Sequence, residues 1–438
     1  MNKKSESGQA IALLVFAIIG LLGFTALAID GGMVYSDRRQ AQSASDAASL
    51  AGGGEAALDM ENNHIFYNDF DCSDSDITTI RNNAVISANN RAISNDYDNA
   101  EITVTTVCED NGSIYDKKYI DITTQIVKET NTTFIHFAYD GPATNQVEST
   151  VRVRPRTPLA YGHAIVALNE DCGGNDGFII GGASKTYIHG GGLFSNGCLT
   201  CRGNGPNFEA IIDPPDGNFY VDSTNCGSQL DPAPEPTDTS EPLPPSSYHV
   251  EPPDCSGLPN RTQPSGGEVT LEPGVYNQIV DGTGSHSSVT LNPGLYCVTG
   301  SPKAVRITSG ALHGDGVTIY VLNGDVQISG GGNMDEQVYL SAPVAVPDPY
   351  PAIPGMVIYL APGNENEVKL TGNSESIFNG TVYVPDGRIF ATGSSELGQS
   401  FNTQLIAYNI KIIGSTDIDI NFLSENLYTT PTSIDLTR

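Results

Sequence analysis

The chain is poor in basic residues and has no tryptophan. Its 438 residues include 21 lysines and arginines against 51 aspartates and glutamates, which gives a formal net charge of -30. We expect no nucleic-acid partner, because binding to phosphates needs a basic surface. Charged residues are only 16% of the chain, whereas there are 47 glycines and 27 prolines. That balance is typical of turn-dense β structure and disfavours a helical bundle.

One long stretch lacks charge altogether. Residues 10–29 (AIALLVFAIIGLLGFTALAI) are almost purely apolar, and about 20 residues of helix are needed to cross a hydrocarbon core. The alternative is a cleaved signal peptide, whose apolar region is shorter, about 7–15 residues. We predict a retained transmembrane helix at 10–29, preceded by a cytoplasmic tail at 1–9.

Almost the whole chain follows this span, and so do all the cysteines. An even number of cysteines is typical of disulfides, which persist outside the cytoplasm. We therefore predict a single-pass protein with its N-terminus in the cytoplasm and its bulk outside the membrane. The candidate disulfide cysteines are Cys72, Cys108, Cys172, Cys198, Cys201, Cys226, Cys255 and Cys297.

The residues after the span predict a helix with a stripe of small side chains. Residues 33–51 are rich in helix formers and contain no proline. Ala41, Ala44, Ala48 and Ala51 recur at three- and four-residue spacing. Small side chains let another helix approach closely, so the stripe is a candidate seam for a partner helix. Packing of this stripe on the chain's own ectodomain is the alternative.

The span and this helix together resemble a known family. The features that match are Gly8-Gln9 before the apolar run, Ile29-Asp30 at its end, Tyr35, Arg38-Arg39 and residues 46–51 (DAASLA). Over residues 6–54 they resemble the N-terminal segment of TadE/TadG-like proteins of the Flp (Tad, tight-adherence) pilus machinery. The resemblance implies a protein of the bacterial cell membrane without enzymatic chemistry. Its implied partners are the membrane and the Tad/Flp pilus machinery or other single-span subunits.

Residues 30–156 predict a small α+β domain with a pilin-like layout. Apolar residues at helical spacing indicate a helix over 76–93. Alternating patterns predict strands at 101–107, 119–127, 132–137 and 147–153, with a loop at 138–145. Cys72 and Cys108 are the only cysteines in this region, and a disulfide between them is the leading interpretation.

The last part of the chain carries an internal repeat. Glycines at 330, 372, 393 and 414 are spaced by 42, 21 and 21 residues, and the interval of 42 is interpreted as two units of 21. Upstream, VTLEPG at 269–274 is followed 20 residues later by VTLNPG. Short strands with glycine turns at such a period indicate a β-solenoid, in which stacked coils bury a common core. We predict a right-handed parallel β-helix; a β-sandwich with coincidental spacing is the alternative.

The predicted β-helix is interrupted once. It starts at 157–230 with Cys-rich loops, continues as coils over 266–430, and is followed by a C-terminal tail at 431–438. Residues 231–265 are rich in proline, which cannot continue a strand ladder, and predict an exposed, semi-rigid excursion. Cys226 flanks this excursion and Cys255 lies within it, so either could staple its base.

Two kinds of residue cluster raise the question of a metal site. Cys198-Leu199-Thr200-Cys201 fits a zinc half-site, a redox pair or two separate disulfides. There is no second C-x-x-C, and six cysteines outside the cell favour three disulfides. Acidic runs at 71–76, 170–177 and 335–336 do not match a calcium loop and predict at most weak binding of a divalent cation such as calcium. We expect no cofactor.

No motif in the sequence indicates catalysis. There is no Gly-x-Ser-x-Gly, phosphate-binding loop or H-E-x-x-H. Candidate bases are few (Lys369, Arg388, Lys411), and the repeat places Lys369 and Lys411 at equivalent outward positions. We predict a membrane-anchored, surface-displayed TadG-like protein of Flp/Tad pilus assembly whose β-helix acts in adhesion to a glycan or matrix, or in surface structure. The alternative is a membrane-anchored β-helix enzyme that acts on polysaccharide.

Overall fold

The computed structural model divides the chain into two compact units. Unit 1 comprises Met1–Thr157 and Pro431–Arg438, and unit 2 comprises Pro158–Thr430. The structure describes residues 7–67, 69–98, 100–110, 118–134, 141–173, 177–182, 185–202, 209–212, 218–236, 241–281, 287–329, 337–344, 351–372, 376–393, 399–414, 418–422 and 426–437.

Unit 1 is organised around one long helix, α1, which spans Ser7–Asn62 without a break. The predicted transmembrane helix and the predicted helix at 33–51 are therefore one element. No proline interrupts it, and the pair Gly31-Gly32 is tolerated within it. Large apolar side chains between Ile11 and Ile29 are exposed, whereas Asp30 is buried. The helix thus has an unpacked apolar half and a half that packs on the rest of the unit.

The packed half of α1 lies against a second helix and a sheet. Helix α2 spans Ser75–Ile93 and is N-capped by Asp74, and it buries Ile77, Ile80, Ala84, Ala88 and Ala92. Strands β1 (Ile102–Glu109), β2 (Tyr119–Thr130) and β3 (Ala143–Arg154) pair antiparallel in sequence order. The helix and three of the predicted strands are present within a few residues of their expected bounds. Residues 132–134 form no strand, and the rest of the segment predicted at 132–137 lies outside the described residues.

The C-terminal segment is a strand of this sheet and not a tail. The last strand, Ser433–Thr437, pairs antiparallel with β3, residue Thr437 opposite Thr150 and Ser433 opposite Arg154. Side chains at both ends fix it, since Arg154 pairs with Asp435 and Thr432 donates to Glu61 at 2.7 Å. Five residues with only two apolar positions carry too weak an alternation to be recognised as a strand.

Unit 2 is built from short strands, connected by turns. In chain order they are β4 (Thr157–Pro158), β5 (Ile165–Ala167), β6 (Phe178–Gly182), β7 (Lys185–His189), β8 (Leu193–Ser195), β9 (Leu199–Arg202), β10 (Glu209–Ile212), β11 (Asn218–Tyr220), β12 (Leu230–Asp231), β13 (Glu235–Pro236), β14 (Asn260–Arg261), β15 (Glu268–Leu271), β16 (Gly274–Tyr276), β17 (Ile279–Val280), β18 (Ser288–Leu291), β19 (Gly294–Val298), β20 (Lys303–Ile307), β21 (Ala311–Gly314), β22 (Val317–Val321), β23 (Asp325–Ser329), β24 (Val338–Ser341), β25 (Met356–Leu360), β26 (Glu367–Gly372), β27 (Ile377–Asn379), β28 (Thr381–Gly393), β29 (Gln399–Asn402), β30 (Leu405–Gly414), β31 (Ile418–Asn421) and β32 (Thr429–Thr430); the strand of unit 1 at the C-terminus is β33.

Most of these strands form three parallel ladders, whereas β4 and β32 pair with each other. Ladder A runs β15-β18-β21-β24-β27-β29-β31-β7-β10-β12. Ladder B contains β14, β16, β19, β22, β25, the first half of β28, the first half of β30, β5, β8 and β11. Ladder C contains β17, β20, β23, β26, the second halves of β28 and β30, β6 and β9. Inward side chains of all three ladders belong to one apolar core cluster.

The sequence repeat corresponds to the pairing register. Val269 pairs with Val289, and Val368 pairs with Ile389, which pairs with Ile410, at steps of 20, 21 and 21 residues. The interval of 42 is one step and not two, because Val326 pairs directly with Val368. This step is longer than the others because additional residues lie between β24 and β25.

The first strands of unit 2 stack on the last ones. β30 pairs with β5 and β6, and β31 pairs with β7. The segment 157–230, predicted to begin the stack, therefore extends the ladders after their last C-terminal strands. β13 pairs with β11 at one end of ladder B and β14 pairs with β16 at the other end, so the chain through the described residues 241–259 passes from one end of the ladder to the other. With strands about 4.8 Å apart, that distance is roughly 50 Å. An extended proline-rich segment at about 3.1 Å per residue covers it.

Two residues of the proline-rich segment are packed on the stack, although most of its described residues are exposed or half-buried. Leu243 and Val250 are buried, and the hydroxyl of Tyr359 donates to the Val250 carbonyl at 2.7 Å. A disulfide between Cys255 and Cys297 fixes its far end to β19. The segment therefore covers the outward side of ladder B, where bulky side chains would otherwise face solvent.

Candidate functional site

The first candidate site is the junction where α1 leaves its exposed apolar half. Asp30 is 1% exposed, and its two carboxylate oxygens accept the backbone N–H groups of Thr133 and Phe134 at 2.9 and 2.8 Å. One helical side chain thus fixes the chain that follows β2. A carboxylate that accepts two backbone N–H groups makes strong, charge-assisted hydrogen bonds. The start of the packed half of α1 is therefore fixed at Asp30.

Two serines continue this attachment along the helix. The Ser45 hydroxyl donates to the Thr124 carbonyl at 2.6 Å, and the Ser49 hydroxyl donates to the Ser149 carbonyl at 2.8 Å. Both serines are fully buried. At the far end of α1, Glu61 accepts from Arg156 and from Thr432. Partial burial raises the pKa of Glu61, but these hydrogen bonds outweigh burial and hold its pKa below the ordinary value.

The alanine stripe lies in the core of unit 1. Ala41, Ala44 and Ala48 are 0%, 4% and 0% exposed and belong to a cluster with residues of α2, β1, β2 and β3. Ala51 is half-buried, and its carbonyl accepts from Ser87 of α2. The alternative of packing on the chain's own ectodomain accounts for these contacts. The three buried alanines have no surface left for a partner helix, so the seam prediction is corrected.

All eight cysteines form disulfides. The pairs are Cys72–Cys108, Cys172–Cys198, Cys201–Cys226 and Cys255–Cys297. The first is the pairing that the sequence predicted. The two cysteines of the C-x-x-C motif bond to different partners, so they are neither a redox pair nor a zinc half-site. The three-residue spacing of Cys198 and Cys201 cannot reveal these partners, because disulfide pairing is set by which strands become neighbours in the fold.

The described residues contain no clear oxygen-ligand site for a metal. The one group of three potential ligands among them is Cys172, Cys198 and Asp222, and both sulfurs are already in a disulfide. In the run at 71–76, Asp71 accepts from Ser73 and Asp74 caps α2. Residues 174–176 and the pair 335–336 lie outside the described residues, so weak divalent-cation binding stays a prediction.

The outward row of ladder B is aromatic and covered. Tyr320, Tyr359 and Tyr383 occupy successive rungs with ring centroids 5.1 Å apart, and all three are buried. Desolvation raises the pKa of each of these hydroxyls. The proline-rich segment of unit 2 contacts this row at Tyr359, whose hydroxyl donates to the Val250 carbonyl. The sequence indicates these strands but not the tyrosine row, because the three side chains come together only when the strands pair.

The outward side of ladder C carries the candidate bases. Lys369 and Lys411 lie one rung on either side of Phe390, with ammonium nitrogens 5.4 and 5.3 Å from the ring centroid. The two lysines are therefore equivalent outward positions, as the repeat predicted. In the adjacent row, Asp325 and Glu367 occupy neighbouring rungs, and the Asp325 carboxylate accepts the Glu367 backbone N–H at 3.1 Å.

The match to a known protein family lies in helix α1 and not in the ladders. Residues 8–57 match the family model described as putative Flp pilus-assembly TadE/G-like. The resemblance recognised in the sequence is thereby confirmed for this TadE/G-like segment. The matched segment therefore includes the exposed apolar half of α1 and also Asp30, Ser45 and Ser49, which bond the second half of α1 to unit 1. No curated protein matches the chain.

One solved structure shows a distant likeness. It is the crystal structure of competence-associated pilin ComZ from Thermus thermophilus, with 11% sequence identity and a TM-score of 0.22. The alignment covers 78% of this chain and 89% of the pilin. A likeness at that level carries no argument about function here. The described part of the chain has one helix, α1, that is long and apolar enough to cross a membrane.

Proposed function

We propose that the protein is a membrane-anchored, surface-displayed component of Flp/Tad pilus assembly. The observation that carries the proposal is the division of α1 within the TadE/G-like segment. The large apolar side chains of its first half, between Ile11 and Ile29, are exposed in the described structure, and its second half is bonded to a folded unit from Asp30 onward. Exposed apolar side chains over that length are stable only in lipid or against other apolar helices.

In the proposed arrangement the N-terminus is cytoplasmic, the first half of α1 crosses the membrane, and unit 2 and the rest of unit 1 lie outside it. Four disulfides support an oxidising compartment for unit 1 and unit 2. Unit 1 is the pilin-like part that contacts pilus machinery or other single-span subunits. Its span is the contact available to them, because the alanine stripe is buried.

For unit 2 we propose a right-handed parallel β-helix that acts in adhesion or surface structure. Support comes from the order of the strands, which visit ladders A, B and C in turn from β15 to β26. All three ladders share one core. Ladder B is covered, and exposed side chains of ladders A and C offer surface to a glycan or matrix.

The proposal is tested by deleting the gene in the host and restoring it in two forms. One form is the full chain, and the other lacks residues 158–430, with Thr157 joined to Pro431 by a short linker. We expect the full chain to restore pili and adherence, and the shortened chain to restore pili alone. Pili that persist after deletion would remove the assembly role. Adherence restored by the shortened chain would remove the display role.

One observation favours polysaccharide hydrolysis as a second candidate. Asp325 and Glu367 lie on adjacent rungs, and glycosidases use paired carboxylates. Lys303 and Arg388 flank the pair on the same row, a pattern that also suits a charge-paired surface. Release of reducing ends by the full-length protein, lost in D325N/E367Q, would establish hydrolysis. Unchanged substrate would leave the row as surface.

A further inference from the structure

Basic residues of unit 2 are concentrated on one face. Residues 158–430 contain eight lysines and arginines. Six of these lie on ladder C, namely Arg202, Lys303, Arg306, Lys369, Arg388 and Lys411. In a chain with a net charge of -30 this distribution makes ladder C the one basic strip among the described faces of unit 2.

Three of these cations form a regular row. Going from rung to rung, the outward positions are Arg306, Gln327, Lys369, Phe390 and Lys411. A cation therefore occupies every second rung. Adjacent parallel strands are about 4.8 Å apart, so the charges recur about every 10 Å over roughly 19 Å. We call these five residues the cation row.

The cations of this row are not paired with described carboxylates. No ion pair joins Arg306, Lys369 or Lys411 to a described acidic residue, and the two lysines instead flank Phe390 by cation–π contact. The adjacent row is neutral in sum, because Lys303 and Arg388 bracket Asp325 and Glu367. The cation row thus keeps an excess of three positive charges.

We propose that the cation row binds a linear anionic polysaccharide laid along the stacking direction. The inference rests on the proposed display function and names the ligand class of that surface. A polymer with one carboxylate on every second sugar repeats its charge over a distance similar to two rungs. Each carboxylate meets one cation, and Phe390 holds Lys369 and Lys411 on either side by cation–π contact, which spaces their charges.

The charge density of the row decides between polysaccharide and nucleic acid. Double-stranded DNA carries one charge per about 1.7 Å of axis, several times denser than cations at about 10 Å spacing. The acidic remainder of the chain would repel such a polymer. A sparsely charged polysaccharide meets a cation at each of its own charges and brings few others near the acidic surface.

The row ends beside an open cavity. Val280 is the next rung after Arg306 and lines a cavity of about 360 Å³ together with Arg261 and Asn277. The side chain of Gln263 closes the sheet there, donating to the Val280 carbonyl at 2.8 Å and accepting its N–H at 2.9 Å. The cavity, which Asp281 also lines, gives the polymer a pocket at one end of the row, where Arg261 is the basic residue.

The test measures binding of hyaluronan, which has one carboxylate per disaccharide, to the full-length protein in detergent micelles. Variants are K369Q/K411Q and, as a matched control, K303Q, a lysine of the same sheet in the neutral row. Dextran and single-stranded DNA are compared as ligands. We expect binding that weakens with salt, because the Debye length at 0.1 M, about 10 Å, is similar to the charge spacing.

The double variant is expected to bind hyaluronan at least about tenfold more weakly, since it loses two charge-assisted contacts. K303Q is expected to stay within about twofold of wild type, as for an exposed pair. Equal binding of hyaluronan by wild type and the double variant overturns the proposal that the cation row is the binding site, but does not affect the proposed display function. Binding of no polymer by a protein that still supports adherence also overturns it. Stronger binding of DNA, lost in the double variant, assigns the row to nucleic acid instead.

Discussion

Three consecutive glycines in α1 allow the packing of the TadE/G-like segment to be tested one methyl group at a time. Gly52, Gly53 and Gly54 lie on successive faces of one helix. A Cβ added at Gly52 would lie 2.9 Å from the Ala84 carbonyl oxygen and 3.1 Å from Ile122. At Gly53 it would lie 2.6 Å from Val151, whereas at Gly54 nothing lies within 4 Å.

The expected magnitudes follow from two opposing effects. Alanine is favoured over glycine inside a helix by about 1 kcal/mol. Extra atoms in a filled core cost about 1–3 kcal/mol, and the upper part of that range applies where the neighbour is backbone or a stiff β-branched side chain. G52A and G53A are therefore expected to destabilise unit 1 by about 1–2 kcal/mol. G54A is expected to stabilise it by up to about 1 kcal/mol.

Hydrogen exchange of the full-length protein in micelles measures these changes locally. Peptides from 75–93 and 119–130 report opening of α2 and β2, which pack on the glycines. A difference of about 2–3 kcal/mol between G54A and G52A corresponds to roughly 30- to 160-fold in the opening constant. If all three variants shift exchange in the same direction and by the same amount, the close approach of α1 to its own unit is refuted.

Three further changes test other contacts. D30A leaves two backbone N–H groups without their acceptor, and we expect about 2–4 kcal/mol of local destabilisation, seen as faster exchange at 131–134 with little change in unit 2. The double variant C255S/C297S opens a loop of 42 residues. Its free energy of unfolding, measured with denaturant, is expected to be about 4 kcal/mol lower than that of the wild type in the same oxidising buffer. Burial lowers the pKa of His163 to about 4, so the unfolded chain takes up a proton below about pH 6.5 that the folded chain does not. Stability is complete above that pH, and we expect about 3 kcal/mol to be lost as the pH falls to about 4. H163F should abolish this loss, and an unchanged pH dependence would contradict it.

Local patterns in the sequence predicted most of the elements. The helix at 76–93 buries the same apolar positions that its spacing indicated, and the repeated Val and Ile positions of ladder C pair in register. Both rest on periodicity within a short window. They were recognisable because one residue in two, or one in three or four, is buried regardless of what the element packs against.

What the sequence did not reveal depends on distant neighbours. The covering of Tyr359 by the proline-rich segment requires β13 and β14 to lie at opposite ends of the stack. The pairing of β33 with β3 joins residues almost 300 positions apart. Neither leaves a periodic trace, because proline content indicates only an absence of ladder bonds and a five-residue strand is too short to show alternation.

The contacts of the TadE/G-like segment determine where a partner can bind it. Ser45, Ser49 and the buried alanines are occupied by unit 1 itself, whereas Tyr35, Arg38 and Arg39 are exposed on the second half of α1. The first half has no charged side chain between Ile11 and Ile29. Apolar helices in lipid gain no hydrophobic driving force from association, so contact through the span relies on close packing. Gly20 and Gly23 are open there, with nothing within 4 Å of an added Cβ. In the proposed arrangement, a partner subunit is therefore expected to approach at these glycines within the bilayer and to be selected by charge at Arg38 and Arg39 just outside it.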